Sequence, residues 1–357
     1  MSPISRKWKR GRPSRKSRLH VVLLVHTEFF DPSDPDFVNV TPDTESEHFV
    51  SAGLRALNHG VSVLPFRASR EELSTLGDKI SQLQPDLIFN FIEHLEGNRR
   101  LAAEIPALLE ELGIPYTGAS ATGTRNSIDK GGSKDAVRTV GFPVPSFMVV
   151  PPGAKVFQYT SPFPVIVKPQ FGGASVGLRL ASVVNSKKEL LTMACEIHRK
   201  LDESAICEQY VDGRELSVGL VEDGKRVLVL PIRETVFGRA GKGGPRFCTE
   251  RVKDSYKYRE RWGIRYERAQ LTPALDRRIR TLCKEAFQVL GLSGYARIDL
   301  RLNSSGDPVF LEANANPDLA PRYFGIMASW MGLTYEDVLV KILRAGLNRK
   351  VHDQHPL

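Results

Sequence analysis

Residues 296–317 read ARIDLRLNSSGDPVFLEANANP, two runs of alternating apolar and polar residues on either side of the turn-forming stretch Asn303 to Asp307. That pattern specifies a β-hairpin with one packed face and one polar face. With the turn centred on Ser305 and Gly306, Asp299 faces Glu312 and Arg297 faces Asn314, so these four polar side chains share a face. Ile298, Leu300, Val309 and Leu311 are expected on the packed side. Two carboxylates and a carboxamide oxygen are hard donors of the kind that Mg²⁺ takes. An exposed face of ordinary cross-strand ion pairs is the plainer alternative.

The chain has 357 residues, 41% hydrophobic and 25% charged, enough for two or three domains with substantial cores. No apolar run approaches the ~20 residues of a membrane helix, and Val21 to Val25, after the basic start, is too short for a signal-peptide core. Cys195, Cys207, Cys248 and Cys283 lie far apart without a CxxC pair, so free thiols in a reducing cytoplasm are expected rather than a zinc site. The net charge of +9 belongs almost wholly to residues 1–18, which hold eight basic residues and no acidic one. This tail reads as a solvated arm; its single Lys9-Arg10-Gly11-Arg12-Pro13 stretch is weak support for nucleic-acid binding, which is not expected.

Strand, helix and strand patterns alternate over the first ~120 residues: strands at 19–26, 61–66 and 86–90, helices at 45–58, 70–83 and 99–112. This predicts a small doubly wound α/β domain. From Ile128 the texture changes to α+β, with a helix near 132–139, strands at 163–168, 177–181, 205–210, 216–221 and 226–231, and helices at 186–200, 271–290 and 334–348. Residues 236–268, rich in Arg, Lys and Gly, read as a mobile loop region.

Pro164 to Lys168 is a strand ending in lysine, followed by Phe171-Gly172-Gly173-Ala174-Ser175-Val176-Gly177. Such a turn lets backbone N–H groups converge on phosphate oxygens, and the lysine adds a point charge. Strands on both sides and the absence of a GK[ST] helix start exclude a Walker-type loop. In Ile206 to Leu216 a strand breaks and restarts, leaving backbone to pair with a flat ligand such as adenine, Glu208 to accept from an amino group, and Glu215 to reach ribose hydroxyls. The simpler reading of that segment is a connector with solvated charges.

Taken in order, Leu112-Gly113-Ile114-Pro115-Tyr116-Thr117-Gly118, Asp129-Lys130, the VIVKP strand with its glycine loop, EQYVDGRE, GYARIDLRL and FLEANANP resemble the ATP-grasp superfamily, and within it the D-alanine–D-alanine ligase family. The resemblance runs from about Pro85 to Leu347. It implies an α/β N-terminal domain followed by a two-subdomain α+β ATP-grasp fold, with boundaries at 19–125, 126–215 and 216–350 behind the 1–18 tail. It also implies ATP and Mg²⁺ as cofactors, two ions with Mn²⁺ able to substitute, small amino-acid-like substrates and a homodimer. By this resemblance Lys130 and Lys168 contact ATP phosphates under the loop of Gly173, Ala174, Ser175 and Val176, while Glu208, Tyr210, Val211 and Glu215 hold adenosine. Asp299, Glu312 and Asn314 would ligate Mg²⁺, and Arg297 would stabilise an anionic transition state. Ser175 and Lys257 complete the expected catalytic set, with Lys253 as a rival for Lys257.

The substrate end departs from the family pattern. Ala174 replaces the first serine of a Ser-Ser pair, and the segment after Asn314 lacks the Gly-Met-Thr and later Ser of the family, though Arg322 there has the form of a carboxylate-binding fork. The N-terminal loop lacks the usual glycine-rich turn with Ser-x-Glu and offers His26, Glu28, Glu45 and Glu47 instead, while His94 stands near the family's substrate-site histidine. The expected activity is therefore a carboxylate–amine ligase working through an acyl phosphate, most simply on D-alanine. A ligase for another amino acid or peptide, or a non-catalytic nucleotide-binding protein with a nucleic-acid-binding tail, are the alternatives.

Overall fold

Five consecutive apolar residues, Val21 to Val25, are wholly buried, as a strand covered on both faces requires. The computed structural model describes residues 18–41, 43–154, 161–173, 175, 177–224 and 226–349; the basic tail to residue 17, Ala174 and Val176 lie outside them. The first layer comprises β1 (His20–His26), α1 (Glu45–Ala56), β2 (Gly60–Phe66), α2 (Arg70–Leu83), β3 (Leu87–Asn90) and α3 (Glu104–Leu112). Its parallel sheet has the order β2-β1-β3, with α1 on one face and α2 and α3 on the other. The strand order reverses at β1, so the crevice beyond the ends of β1 and β3 is a topological switch point.

The chain continues through α4 (Ala121–Ile128) and α5 (Lys130–Arg138) into β4 (Phe147–Val150), β5 (Val165–Pro169), β6 (Val183–Val184), α6 (Lys187–Leu201) and β7 (Ala205–Gln209). These strands form an antiparallel sheet, β4-β7-β5-β6, packed on Leu190, Met193, Ala194 and Ile197 of α6. The strand expected at 177–181 is instead a single 3₁₀ turn, Leu180–Ser182, leading into two-residue β6.

The third layer contains β8 (Arg214–Asp223), β9 (Arg226–Val229), β10 (Arg233–Phe237), α7 (Glu250–Asp254), α8 (Tyr256–Trp262), β11 (Ile264–Arg268), α9 (Pro273–Val289), β12 (Tyr295–Leu302), β13 (Pro308–Asn314), α10 (Ile326–Ser329) and α11 (Tyr335–Asn348). Its six-stranded sheet runs β11-β10-β8-β12-β13, with β9 on β8. Residues 236–268 are thus not a loop: β10 pairs with β11, and two capped helices stand between them. Charge and glycine content hid short elements whose apolar anchors, Phe247, Val252 and Ile264, are widely spaced.

The hairpin of β12 and β13 sets Arg297 opposite Asn314 and Asp299 opposite Glu312, as expected, but a bulge follows, after which Leu300 faces Phe310. One face of the sheet therefore buries Leu216, Val218, Ile298, Leu300 and Phe310 against Ile279, Cys283 and Phe287 of α9. Val309, opposite Arg301, does not join this packed face as alternation alone implied, and neither does Leu311. The extra residue throws it to the cleft side and turns Phe310 inward.

Candidate active site

Between the second and third sheets, and closed at one end by the first, lies a cleft of about 1180 Å³. Its floor is a row of neighbouring residues across four strands: Arg233 on β10, Ser217 on β8, Asp299 on β12 and Glu312 on β13. Backbone pairing places them in line about 4.8 Å apart per strand.

Asp299 accepts from Ser217 Oγ at 2.8 Å, from Arg297 Nε at 2.9 Å and Nη2 at 3.0 Å, and from Asn314 Nδ2 at 3.1 Å. That last bond leaves the Asn314 oxygen as the amide's free donor atom. Glu312 accepts no hydrogen bond among the described residues and meets Lys130 Nζ at 4.0 Å. Burial alone would raise its pKa, but Lys130, Lys253, Lys168 and Arg297 outweigh burial and hold it down to about 2. An ionised, unsatisfied carboxylate beside a second carboxylate and an amide oxygen is a donor set that fits a hard divalent cation.

Lys130 begins α5, where the Asp129 side chain caps Gly131 N at 3.0 Å. Its ammonium donates to Gly172 O at the root of the glycine loop, and burial pushes its pKa down to about 8 against the pull of Glu312. Lys168, the penultimate residue of β5, lines the cleft, but it does not stand free. It lies 2.9 Å from Glu208, whose other oxygen is 2.8 Å from Lys134. Glu208 is only 1% exposed. Desolvation works against its charge and the two lysines overcome it, keeping its pKa below the usual carboxylate range. Each oxygen faces a lysine, so Glu208 stands in an ion triad rather than alone, and it lines the cleft with Oε1 holding no hydrogen bond among the described residues. Lys134 escaped the sequence reading, although it follows Lys130 by one helical turn.

Arg301 was also missed. Two residues beyond Asp299, it donates to Tyr210 Oη at 3.0 Å and Val211 O at 2.6 Å and lies 3.5 Å from Glu215. The Tyr210 N–H is taken by Pro164 O at 2.9 Å. This segment is therefore less open to a flat ligand than its broken strand implied, yet Tyr210, Val211 and Glu215 all line the cleft. Gly173 and Ser175 line it too. Ser175, at φ +61°, donates to Cys248 O at 3.1 Å, and Glu250 N donates to Leu178 O, so the glycine loop meets the segment before α7. Lys257 is exposed on α8 and does not line the cleft, whereas Lys253 on α7 does. The physical reason is the break at Ser255, which caps a new helix and points its first turn elsewhere.

At the far end, beyond β1 and β3, His26 and His94 stack with centroids 4.1 Å apart, and Glu28 lies 3.6 Å from His94. Burial and then His94 push His26 down to about 4, so it is neutral. Burial, with Asp318, Glu93 and Asp43 nearby, raises Glu47 to about 7. Arg322 is not a free fork: it pairs with Glu45 and with Asp318 at 3.3 Å. Ser46 Oγ donates to Asp318 at 2.5 Å, tying α1 to the chain beyond β13.

Among the described residues no helix is long and apolar enough to cross a membrane, and the four cysteines are free. The family model for the D-ala D-ala ligase C-terminus matches residues 137–344. An uncharacterized protein, y4sG, of Sinorhizobium fredii is 31% identical over 269 residues, 74% of this chain and 75% of that protein. D-alanine–D-alanine ligases of Cupriavidus metallidurans and Ralstonia nicotianae are each 31% identical, over 70% and 71% of this chain and 72% and 74% of theirs. The crystal structure of the Bacillus anthracis D-alanine–D-alanine ligase complexed with ATP superposes with a TM-score of 0.67 at 20% identity, covering 92% of this chain and 97% of that one. The chain has the ATP-grasp fold and belongs to the D-alanine–D-alanine ligase family of ATP-dependent ligases that form C–N bonds.

Proposed function

We propose that this protein uses ATP and Mg²⁺ to join the carboxylate of D-alanine, or of a closely related small amino acid, to the amine of a second molecule. The observation that carries this reading is the floor of the cleft, where Asp299, Glu312 and Asn314 stand together beside Lys130 and Lys168. A carboxylate is a weak nucleophile towards a polyanion, so the phosphates must first be neutralised. Mg²⁺ held by Asp299, Glu312 and the Asn314 oxygen would supply that neutralisation. Lys130 and Lys168 add fixed positive charge on the same side, and Gly173 and Ser175 border the space above.

The substrate carboxylate oxygen attacks the γ-phosphorus, the bond to the β–γ bridging oxygen breaks, and ADP leaves. The acceptor amine then attacks the acyl carbon, releasing phosphate and one proton as the amide forms. Arg297, held by Asp299, would stabilise the oxyanion of that second step. Ser175 and Leu178 are tied to Cys248 and Glu250, and a border held this way would help to keep water from the acyl phosphate once substrates are bound.

The test is Mg²⁺-dependent phosphate release from ATP by the purified protein, screened against D-alanine, L-amino acids and small hydroxy acids. D-alanine is expected to stimulate release and to yield D-alanyl-D-alanine by mass spectrometry. Glu312→Gln should lower turnover by at least about 100-fold. Stimulation by none of these compounds, with ATP still bound, would sink the ligase reading.

A further inference from the structure

Arg233 is 4% exposed, and its Nε and Nη1 are buried without a hydrogen-bond partner among the described residues. Its guanidinium lies between two rings, 4.3 Å from the Tyr266 centroid and 4.6 Å from that of Tyr323. The neighbouring cleft arginines are committed: Arg297 to Asp299, Arg301 to Tyr210, Val211 and Glu215, Arg322 to Glu45 and Asp318. Among the described residues, Arg233 alone of these four has no carboxylate or carbonyl partner. Ring faces offset part of the cost of burying a cation, but they accept no N–H bonds in the plane of the fork. A buried, unpaired guanidinium in a cleft is an incomplete ion pair.

We propose that Arg233 is a carboxylate-binding subsite, with Tyr266 and Tyr323 holding the fork flat for a bidentate anion. Position favours a carboxylate belonging to the acceptor. Arg233 heads the row that runs through Ser217 to Asp299, two strands or roughly 10 Å from Asp299. An α-amino acid seated there by its carboxylate extends its amine along the row towards the metal and phosphate end. The donor's carboxylate is consumed in the bond and the acceptor's survives, so a permanent carboxylate site serves the acceptor. That assignment rests on the ligase reading; the anion site itself does not.

Two measurements separate them. In the first, thermal unfolding of the full chain is followed in acetate, in phosphate and in chloride at matched ionic strength. Acetate should raise the midpoint saturably in the wild type and not in Arg233→Met, and Arg233→Met without anion should melt no lower than the wild type, since it removes an unpaired buried charge. Equal responses to acetate in the two proteins, a response to phosphate alone, or a markedly lower midpoint for Arg233→Met would each overturn the proposal. In the second, with whichever amino acid the turnover screen identifies, Arg233→Met should raise the acceptor KM by about 100-fold with the smaller part of the loss in kcat. Arg233→Lys should recover part of it. A KM change below about threefold in a working ligase would remove the acceptor assignment while leaving the ligase reading intact.

Discussion

Glu47 and Glu312 show how one residue type acquires opposite behaviour from its surroundings. Glu312 lies among lysines and Arg297 and stays ionised; Glu47 lies among Asp318, Glu93 and Asp43 and holds its proton up to about 7. The consequence for stability follows from proton linkage. Between the ordinary carboxylate value of 4.5 and about 7, folded Glu47 binds a proton that the unfolded chain has released. Its contribution is therefore complete below 4.5 and lost as pH rises through 7. Glu47→Gln should flatten the stability–pH profile over that interval, by up to about 3 kcal/mol at pH 7. Urea unfolding at pH 5 and pH 8 would check this, and an unchanged pH dependence in the variant would refute it. The Lys134–Glu208–Lys168 triad belongs to the same scale: each charge is tolerable only because its neighbours are there.

At the scale of elements, the site depends on strands that stop, bulge or turn at particular residues. The bulge after Asp299 keeps Asp299 opposite Glu312 while turning Phe310 into the packed face. Gly213, between β7 and β8, has φ +141°, and a Cβ there would meet the Leu302 carbonyl oxygen at 1.8 Å. Neither the backbone angle nor the space admits a side chain. Gly213→Ala should cost about 3 kcal/mol of stability and weaken binding of an ATP analogue, because the same turn carries Tyr210 and Val211 on one side and Glu215 on the other. Calorimetry and urea unfolding would read both effects; retention of both would show that the turn adjusts freely.

Over the whole molecule, α11 joins the first and third layers. Val338, Leu339, Ile342 and Leu343 are buried in one cluster that contains Val21, Leu23 and Leu54 from the first layer and Val221, Tyr295 and Phe324 from the third. Gly53 of α1 leaves the room that Leu339 occupies, since a Cβ there would lie 2.5 Å from Leu339 Cδ1. Leu339→Ala should therefore destabilise the protein by about 2–5 kcal/mol, with far-UV circular dichroism and tryptophan fluorescence still changing together in guanidinium. Two separated transitions would mean that α11 serves only one layer. This shared core also fixes the distance between the switch point, with His26 and His94, and the floor that carries Asp299.

Local pattern was sufficient for what neighbouring residues decide. Alternation on either side of the turn was enough to put Arg297, Asp299, Glu312 and Asn314 on one face, but the pairs beside the turn, Arg301 with Val309 and Leu302 with Pro308, lie one residue out of the expected register, and only the bulge brings Asp299 opposite Glu312 and Arg297 opposite Asn314. The order of motifs along the chain likewise determined the fold and the family. Tertiary structure alone decided that Glu208 would be enclosed by Lys134 and Lys168, that Arg322 would be spent on Glu45, that Lys253 rather than Lys257 would line the cleft, and that Arg233 would lie unpaired between Tyr266 and Tyr323. In most of these cases the partners are tens to hundreds of residues apart, and in all of them the result turns on which side chains the folded chain brings into one space. Periodicity says which face a residue takes, but only packing says what it meets there.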